Sequence, residues 1–326
     1  MRKISYAAAM VEALRSCLTA DPHVTLVGSY VLGLGPKRVL MDPIRAEFPD
    51  RLYDPPISEA ALVSLGAGAA MAGARPFVDL GTGSFSYVGW SPLVNEAAVA
   101  RYMSNGRLRV PVVYHMLHGL RGGGASQHSH SPQAMLWNAA GLEIVLPSSP
   151  RDVKGLLRTA INSDNPTVFI NHARLMDIED DVPEEDYSIP FGRADIKRPG
   201  RDVTIVATSF VVHTALEAAN VLASEGIEAE VLDPRTLVPF DRPTLLDSVR
   251  RTGRLVIVDE TNLSCGVAAE ITAIVAEDGF EHLRAPVARV TRPDVPTPFS
   301  KPLEDAITPT ADKVAAAVRR VLRSSR

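Results

Sequence analysis

Residues 54–80, DPPISEAALVSLGAGAAMAGARPFVDL, carry the decision about the fold. Paired prolines interrupt what precedes them, an almost uncharged Ala/Gly-rich run of helical length follows, and a short apolar cluster begins after Arg75. The spacing predicts a helix over 58–73 feeding a strand over 75–80, the repeating unit of parallel α/β layers. The small residues Ala60, Ala61, Gly66, Gly68, Ala69, Ala70 and Gly73 predict a helix packed tightly on all sides. Its single acid, Glu59, stands at the helix mouth. Burying a lone carboxylate is costly. Glu59 therefore either complements the helix dipole behind a Ser58 cap or is held there for chemistry.

The same alternation continues on both sides of this unit. HVTLVGSY (23–30) reads as a strand, SPLVNEAAVARYMSN (91–105) as a helix, and RVPVVYHML (109–117) and LEIVLPSS (142–149 with its neighbours) as buried strands. Ser149 is placed to cap a helix running to about residue 163, and PTVFINHA (166–173) closes this half. The first twenty residues open with two basic positions, but Glu12 and Arg15 interrupt the apolar run. They read as an amphipathic helix rather than a leader. The acidic, proline-bearing stretch over 176–200 reads as a connection with room for a short edge strand. Strands then recur at 202–209, 227–233, 254–260 and 285–291, with helices at 211–225, 241–252, 266–278 and 309–323. The reading is two α/β domains.

Composition narrows the function classes. The chain of 326 residues is 46% apolar and 22% charged with net charge −4, the balance of a globular protein with a sizeable core. That charge argues against nucleic acid as a partner, and no apolar stretch is long enough to span a bilayer. The two cysteines exclude a disulfide framework and fit a reducing, cytoplasmic setting.

A second candidate stretch is YHMLHGLRGGGASQHSHSPQ (114–133), which leaves a strand, passes three glycines and presents four histidines. No carboxylate or cysteine accompanies them, which disfavours zinc. The glycines permit a loop over an active site, where His128 could donate or accept a proton near neutral pH. A solvated loop is the competing reading. VLGLGPKR (31–38), with Gly33 and Gly35, lacks the third glycine of a dinucleotide fingerprint. GTGSFS (81–86) lacks the spacing of a nucleophile elbow.

Taken together, PPISEAALVSLGAGAAMAGARP and QHSHSPQA resemble the β-subunit family of the thiamine-diphosphate-dependent 2-oxo acid dehydrogenases, the decarboxylating component of pyruvate, branched-chain 2-oxo acid and acetoin dehydrogenase complexes. GLEIVLPSSPRDVKGLLRTAINSDNPTVF (141–169), the 202–241 stretch and APVARVTRPDVPTPFSKPLE (285–304) extend the resemblance over the whole chain. It implies two doubly wound domains: a thiamine-diphosphate pyrimidine-binding domain over 1–180, a linker over 181–200, and a transketolase C-terminal-like domain over 201–326. It also implies that Glu59 reaches the ring nitrogen of the aminopyrimidine and exchanges a proton with it. Phe85 and Ile57 match apolar neighbours of that ring, and His128 matches a histidine in the active-site channel.

The family's Gly-Asp-Gly motif, which holds magnesium and diphosphate, does not occur in this chain. The resemblance therefore implies an α subunit that supplies the Mg²⁺ site, an α₂β₂ heterotetramer, and a dihydrolipoyl acyltransferase core as a further partner. A potassium ion is implied on backbone carbonyls around Ala160, Asp164 and Asn165. Departures cluster near the expected 2-oxo acid pocket, formed by Tyr87, Trp90, His115 and Gln127. Ser91-Pro92 stands for a usual Asp-Gln, His115 for a usual arginine, and Asn138 for a usual histidine. These leave two other readings open: a carbon–carbon lyase or ligase that needs no lipoyl acceptor, and a non-catalytic scaffold subunit.

Overall fold

The computed structural model describes residues 1–28 and 35–324, so Gly33 and the end of the 23–30 strand lie outside the described residues. The chain divides into two compact units. The first comprises residues 1–118 and 127–191, the second residues 119–126 and 192–326.

The first unit is built on parallel strands β2 (Val24–Val27), β3 (Leu52–Tyr53), β4 (Arg75–Thr82), β5 (Val113–His118), β6 (Glu143–Val145) and β7 (Thr167–His172). Their order is β6-β7-β5-β4-β2-β3, so the central strands β4, β5 and β7 are buried on both faces. Strand β5 starts later than its apolar run because Pro111 has no N–H to give a ladder. The short β1 (Arg2–Ser5), which the sequence pattern did not separate from the first helix, pairs antiparallel with β8 (Glu179–Val182), a short strand within the stretch expected to leave room for one. Ser5 caps the helix Tyr6–Ala20, its Oγ accepting from Ala8 N–H at 3.3 Å. Ser149 caps Pro150–Asn162 in the predicted way, accepting from Asp152 N–H at 3.1 Å. The 91–105 stretch is not one helix. Pro92–Ala97 forms a π-helical turn, closed by Ala98 N–H on Leu93 carbonyl oxygen, before a short turn at Ala100–Met103.

The Glu59–Met71 helix packs on strand β4 and on the π-helical turn. Contrary to the expectation of packing on all sides, Ala61, Ser64, Leu65 and Gly68 form an exposed face of the single chain. Small side chains allow close approach on either face; which face is covered is set by where the strands lie.

In the second unit β9 (Asp195–Arg198), β10 (Val203–Ala207), β11 (Ala229–Asp233), β13 (Leu255–Asn262) and β14 (Ala288–Arg292) form a sheet in the order β14-β13-β10-β11-β9, with β12 (Thr236–Val238) beside it in sequence. All pairs are parallel except the antiparallel edge strand β9. Val211–Ala223 and Ala311–Arg323 bury Val212, Ala215, Leu222, Val314 and Val318 against it. The glycine loop 119–126 belongs to this unit. Glu304 accepts from Gly122 and Gly123 N–H at 2.6 and 3.0 Å, Glu260 from Leu120 N–H at 3.3 Å, and Ser126 donates to Thr297 carbonyl at 2.9 Å. No described helix is long and apolar enough to cross a membrane.

Candidate active site

Four stretches of the first unit meet at one place: the start of the Glu59–Met71 helix, the 3₁₀ turn Gly83–Tyr87 that follows β4, the segment 127–132, and the residues around Gly89. The close approach is steric in origin. A Cβ at Gly83 would lie 2.8 Å from Pro132 Cδ, and one at Gly89 would lie 3.1 Å from Glu59 carbonyl oxygen and 2.8 Å from Val63. Only glycine lets the turn lie against both neighbours.

The turn and the segment are held by aromatic and polar contacts. Phe85 and His128 meet edge to face at 5.5 Å between ring centroids, and Tyr87 and His130 do the same at 5.4 Å. The Ser84 hydroxyl donates to the Gln127 carbonyl. The structure thus brings the turn that carries Phe85 and Tyr87 against the segment that carries Gln127, His128 and His130, through two ring pairs and one hydroxyl.

Ser58 occupies the cap position with extended backbone, yet its side chain accepts no helix N–H. Glu59 follows in the first turn, half-buried, and among the described residues its carboxylate has no hydrogen-bond or ion-pair partner. Ile57 just before it is 63% exposed. A carboxylate at a helix N-terminus, an exposed aliphatic and an aromatic turn make a donor set that fits a planar aminopyrimidine. Among the described residues no three His, Cys, Asp or Glu side chains are gathered to hold a metal ion.

Other sequence-derived candidates lie elsewhere. His115 is inside the sheet, 1% exposed, in register with Asp79 across the β4–β5 ladder and stacked on Phe77 at 5.2 Å. Its Nδ1 lies 2.9 Å from Asp79 Oδ1, and Asn171 Nδ2 lies 3.0 Å from its Nε2. Tyr6 donates to Asn171 Oδ1 at 2.5 Å. Asp79, Asn171 and Tyr6 were not singled out in the sequence; the only signal was an acid inside the otherwise apolar strand PFVDL. Trp90 is half-buried and Asn138 exposed.

The 160–165 loop is ordered by cations already in the chain. Arg75 donates to Ile161 and Ser163 carbonyls at 3.1 and 3.0 Å and pairs with Asp164 at 3.2 Å, while Arg101 donates to Asn165 Oδ1 at 2.5 Å. Ala160 and Asp164 carbonyls each accept one backbone N–H, from Ser163 and Val110. Neutral carbonyl oxygens of this kind suit a monovalent cation, whereas the loop's side chains are engaged by arginines and by Glu143, which accepts from Ser163 Oγ at 2.7 Å and Asn165 Nδ2 at 2.9 Å.

Comparison with known proteins follows the same division. Residues 2–177 match the family "Transketolase, pyrimidine binding domain" and residues 192–314 match "Transketolase, C-terminal domain". The chain is 41% identical to the acetoin:2,6-dichlorophenolindophenol oxidoreductase subunit beta of Cupriavidus necator over 335 residues, covering 100% of this chain and 99% of that one. It is 39% identical to the pyruvate dehydrogenase E1 component subunit beta of Rickettsia felis over 320 residues, covering 98% of each. A solved structure titled split gene transketolase, inactive beta4 tetramer, superposes with a TM-score of 0.82 at 25% identity over 99% of both chains. On these matches the chain belongs to the transketolase-like family of pyruvate and acetoin dehydrogenase E1 β subunits, a family whose pyrimidine-binding domain implies dependence on thiamine diphosphate.

Proposed function

We propose that the chain is the β subunit of a thiamine-diphosphate-dependent 2-oxo acid dehydrogenase that decarboxylates a 2-oxo acid and acylates a lipoyl group. It acts with an α subunit in an α₂β₂ assembly in the cytoplasm, with a dihydrolipoyl acyltransferase core as the acceptor partner. The observation that carries this reading is the Glu59 carboxylate, without a partner among the described residues, on a helix start that lies against Gly89, shortly after the turn that presents Phe85 to His128.

Thiamine diphosphate, when bound, supplies the stabilisation of negative charge at the carbonyl carbon that the protein's own side chains lack. Glu59 would hold the pyrimidine by a hydrogen bond, its carboxyl placed to exchange a proton with the ring nitrogen. Ile57 and Phe85 flank that ring and exclude water from it. His128, kept against Phe85, moves a proton on the substrate side. Tyr87, Trp90 and Gln127 shape the space beyond it. An α subunit would supply the magnesium and diphosphate contacts, and the carbonyls of Ala160, Asp164 and Asn165 would hold a potassium ion.

A second reading keeps the coenzyme and replaces lipoyl transfer by carbon–carbon cleavage or formation. The identity to two β subunits named for acetoin, at 41% and 39%, favours it. The test is turnover by the copurified α/β pair with 2-oxo acids and with acetoin, with lipoamide, an aldehyde or neither as acceptor. Lipoamide-dependent decarboxylation supports the first reading. Turnover only of acetoin, or transfer only to aldehyde, replaces it with the second. Bound coenzyme without any turnover leaves a scaffold subunit.

A further inference from the structure

In the second unit a hollow of about 630 Å³ lies between the strand end 289–293 and the helix Ala311–Arg323. Its lining includes five cations, Arg289, Arg292, Lys313, Arg320 and Arg323, and not one acid. The rest is apolar or small: Leu263, Val290, Pro293, Ile307, Ala316 and Ala317, with Thr291 as the one neutral polar side chain. This concentration is notable in a chain whose net charge is −4.

Arg289 and Lys313 are oriented by neutral acceptors, which aim a charge without cancelling it. Arg289 donates to Leu263 carbonyl at 2.9 Å, Lys313 to Ala306 and Thr308 carbonyls at 2.7 and 2.8 Å, and Arg292 to Thr297 Oγ1 at 2.5 Å. Arg292 is 97% buried, since its relative exposure is 3%. Asp294, beside Arg289, lies outside the lining; Ser264 donates to it twice and holds its carboxyl below the ordinary range, with a smaller contribution from Arg289. Arg320 and Arg323 fall on the same helix stripe as Lys313, exposed, and no acid sits three or four residues before either to pair with them. Gathering like charges round one hollow raises the energy of the empty protein, and a bound anion relieves it.

We propose that this hollow binds a phosphate-bearing small molecule of nucleotide size, its phosphates on the arginines and its body on the apolar wall. The size falls in the roughly 300–1,000 Å³ range of small-molecule sites. Guanidinium forks match phosphate oxygens in pairs. The five cations line one hollow of small-molecule size, which favours a compact polyanionic head over an extended acidic peptide.

The test is calorimetric titration of the full-length chain, in coenzyme-free and phosphate-free buffer, with ADP, pyrophosphate and adenosine. Saturable ADP binding is expected, weakened at least tenfold by Arg320→Ala/Arg323→Ala and unchanged by Arg319→Ala, whose side chain pairs with Glu225 on the neighbouring stripe. Circular dichroism checks that each variant is folded. The proposal is overturned by absence of saturable ADP binding, by equal binding in the Arg320/Arg323 variant, by adenosine binding as well as ADP, or by a glutamate-rich peptide that binds in place of ADP.

Discussion

His115 Nδ1 lies 2.9 Å from Asp79 Oδ1 at a directly paired position of β4 and β5, with both side chains 1% exposed. The geometry suits a neutral ring that donates from Nδ1 to Asp79 and accepts at Nε2 from the Asn171 amide, which in turn accepts from Tyr6. Removing the ring leaves a buried carboxylate without its main partner. His115→Ala is expected to lower stability by about 3–5 kcal/mol, read as the urea unfolding midpoint. A raised KM at unchanged stability would instead return His115 to the substrate pocket that the sequence suggested.

Glu59→Gln keeps the shape of the side chain and removes its exchangeable proton. In the assembled α/β enzyme, turnover is expected to fall by at least about 100-fold, while assembly by size-exclusion chromatography and the unfolding midpoint stay as they are. His128→Ala is expected to lower turnover comparably and, being exposed, to change stability by no more than about 1 kcal/mol. Full activity of the Glu59 variant removes the proton role assigned to it.

Two glycines on opposite faces of one helix should respond with opposite sign. A Cβ at Gly66 would lie 2.7 Å from Val78 Cγ2 and 3.2 Å from Val112 Cγ2, both on buried strands, while one at Gly68 meets nothing within 4 Å. Overpacking of about 1–3 kcal/mol outweighs a helix-propensity gain of about 1 kcal/mol at Gly66. Gly66→Ala is thus expected to destabilise the isolated chain by about 1 kcal/mol net and Gly68→Ala to stabilise it by up to about 1 kcal/mol. Equal unfolding midpoints for the two variants would contradict the packing described.

Asp259 is fully buried, and burial pushes its carboxyl above the ordinary range, only partly opposed by hydrogen bonds from Thr208 and Thr261. A raised folded pKa means that the native state binds the proton more tightly than the unfolded chain does. The contribution is greatest at acid pH and is lost as pH rises from about 4 through the folded value. The stability of wild type relative to Asp259→Asn is therefore expected to fall with rising pH over that window in paired urea titrations. Parallel curves from pH 4 to 8 contradict it.

The division of labour between sequence and structure can be seen residue by residue. Alternating apolar strands and helical runs were enough to place β4, β7, β10 and β13, because strands buried on both faces in a parallel sheet read as continuous apolar runs. Ser149 was legible as a cap because capping is local. Glu59 and His128 could be marked as unusual from composition and loop chemistry alone. Their joint role came from resemblance, since they stand 69 positions apart (128 less 59) and no local pattern links them. Three things required the tertiary structure. Contact between Phe85 and His128 depends on two loops being brought to one end of the sheet. Burial of His115 depends on pairing β5 with β4 and β7, which gives the ring an acid on one side and an amide on the other. The open face of the Glu59–Met71 helix depends on which side the sheet covers, a choice that a run of alanine and glycine leaves undetermined because such residues fit a close interface and a bare surface equally well.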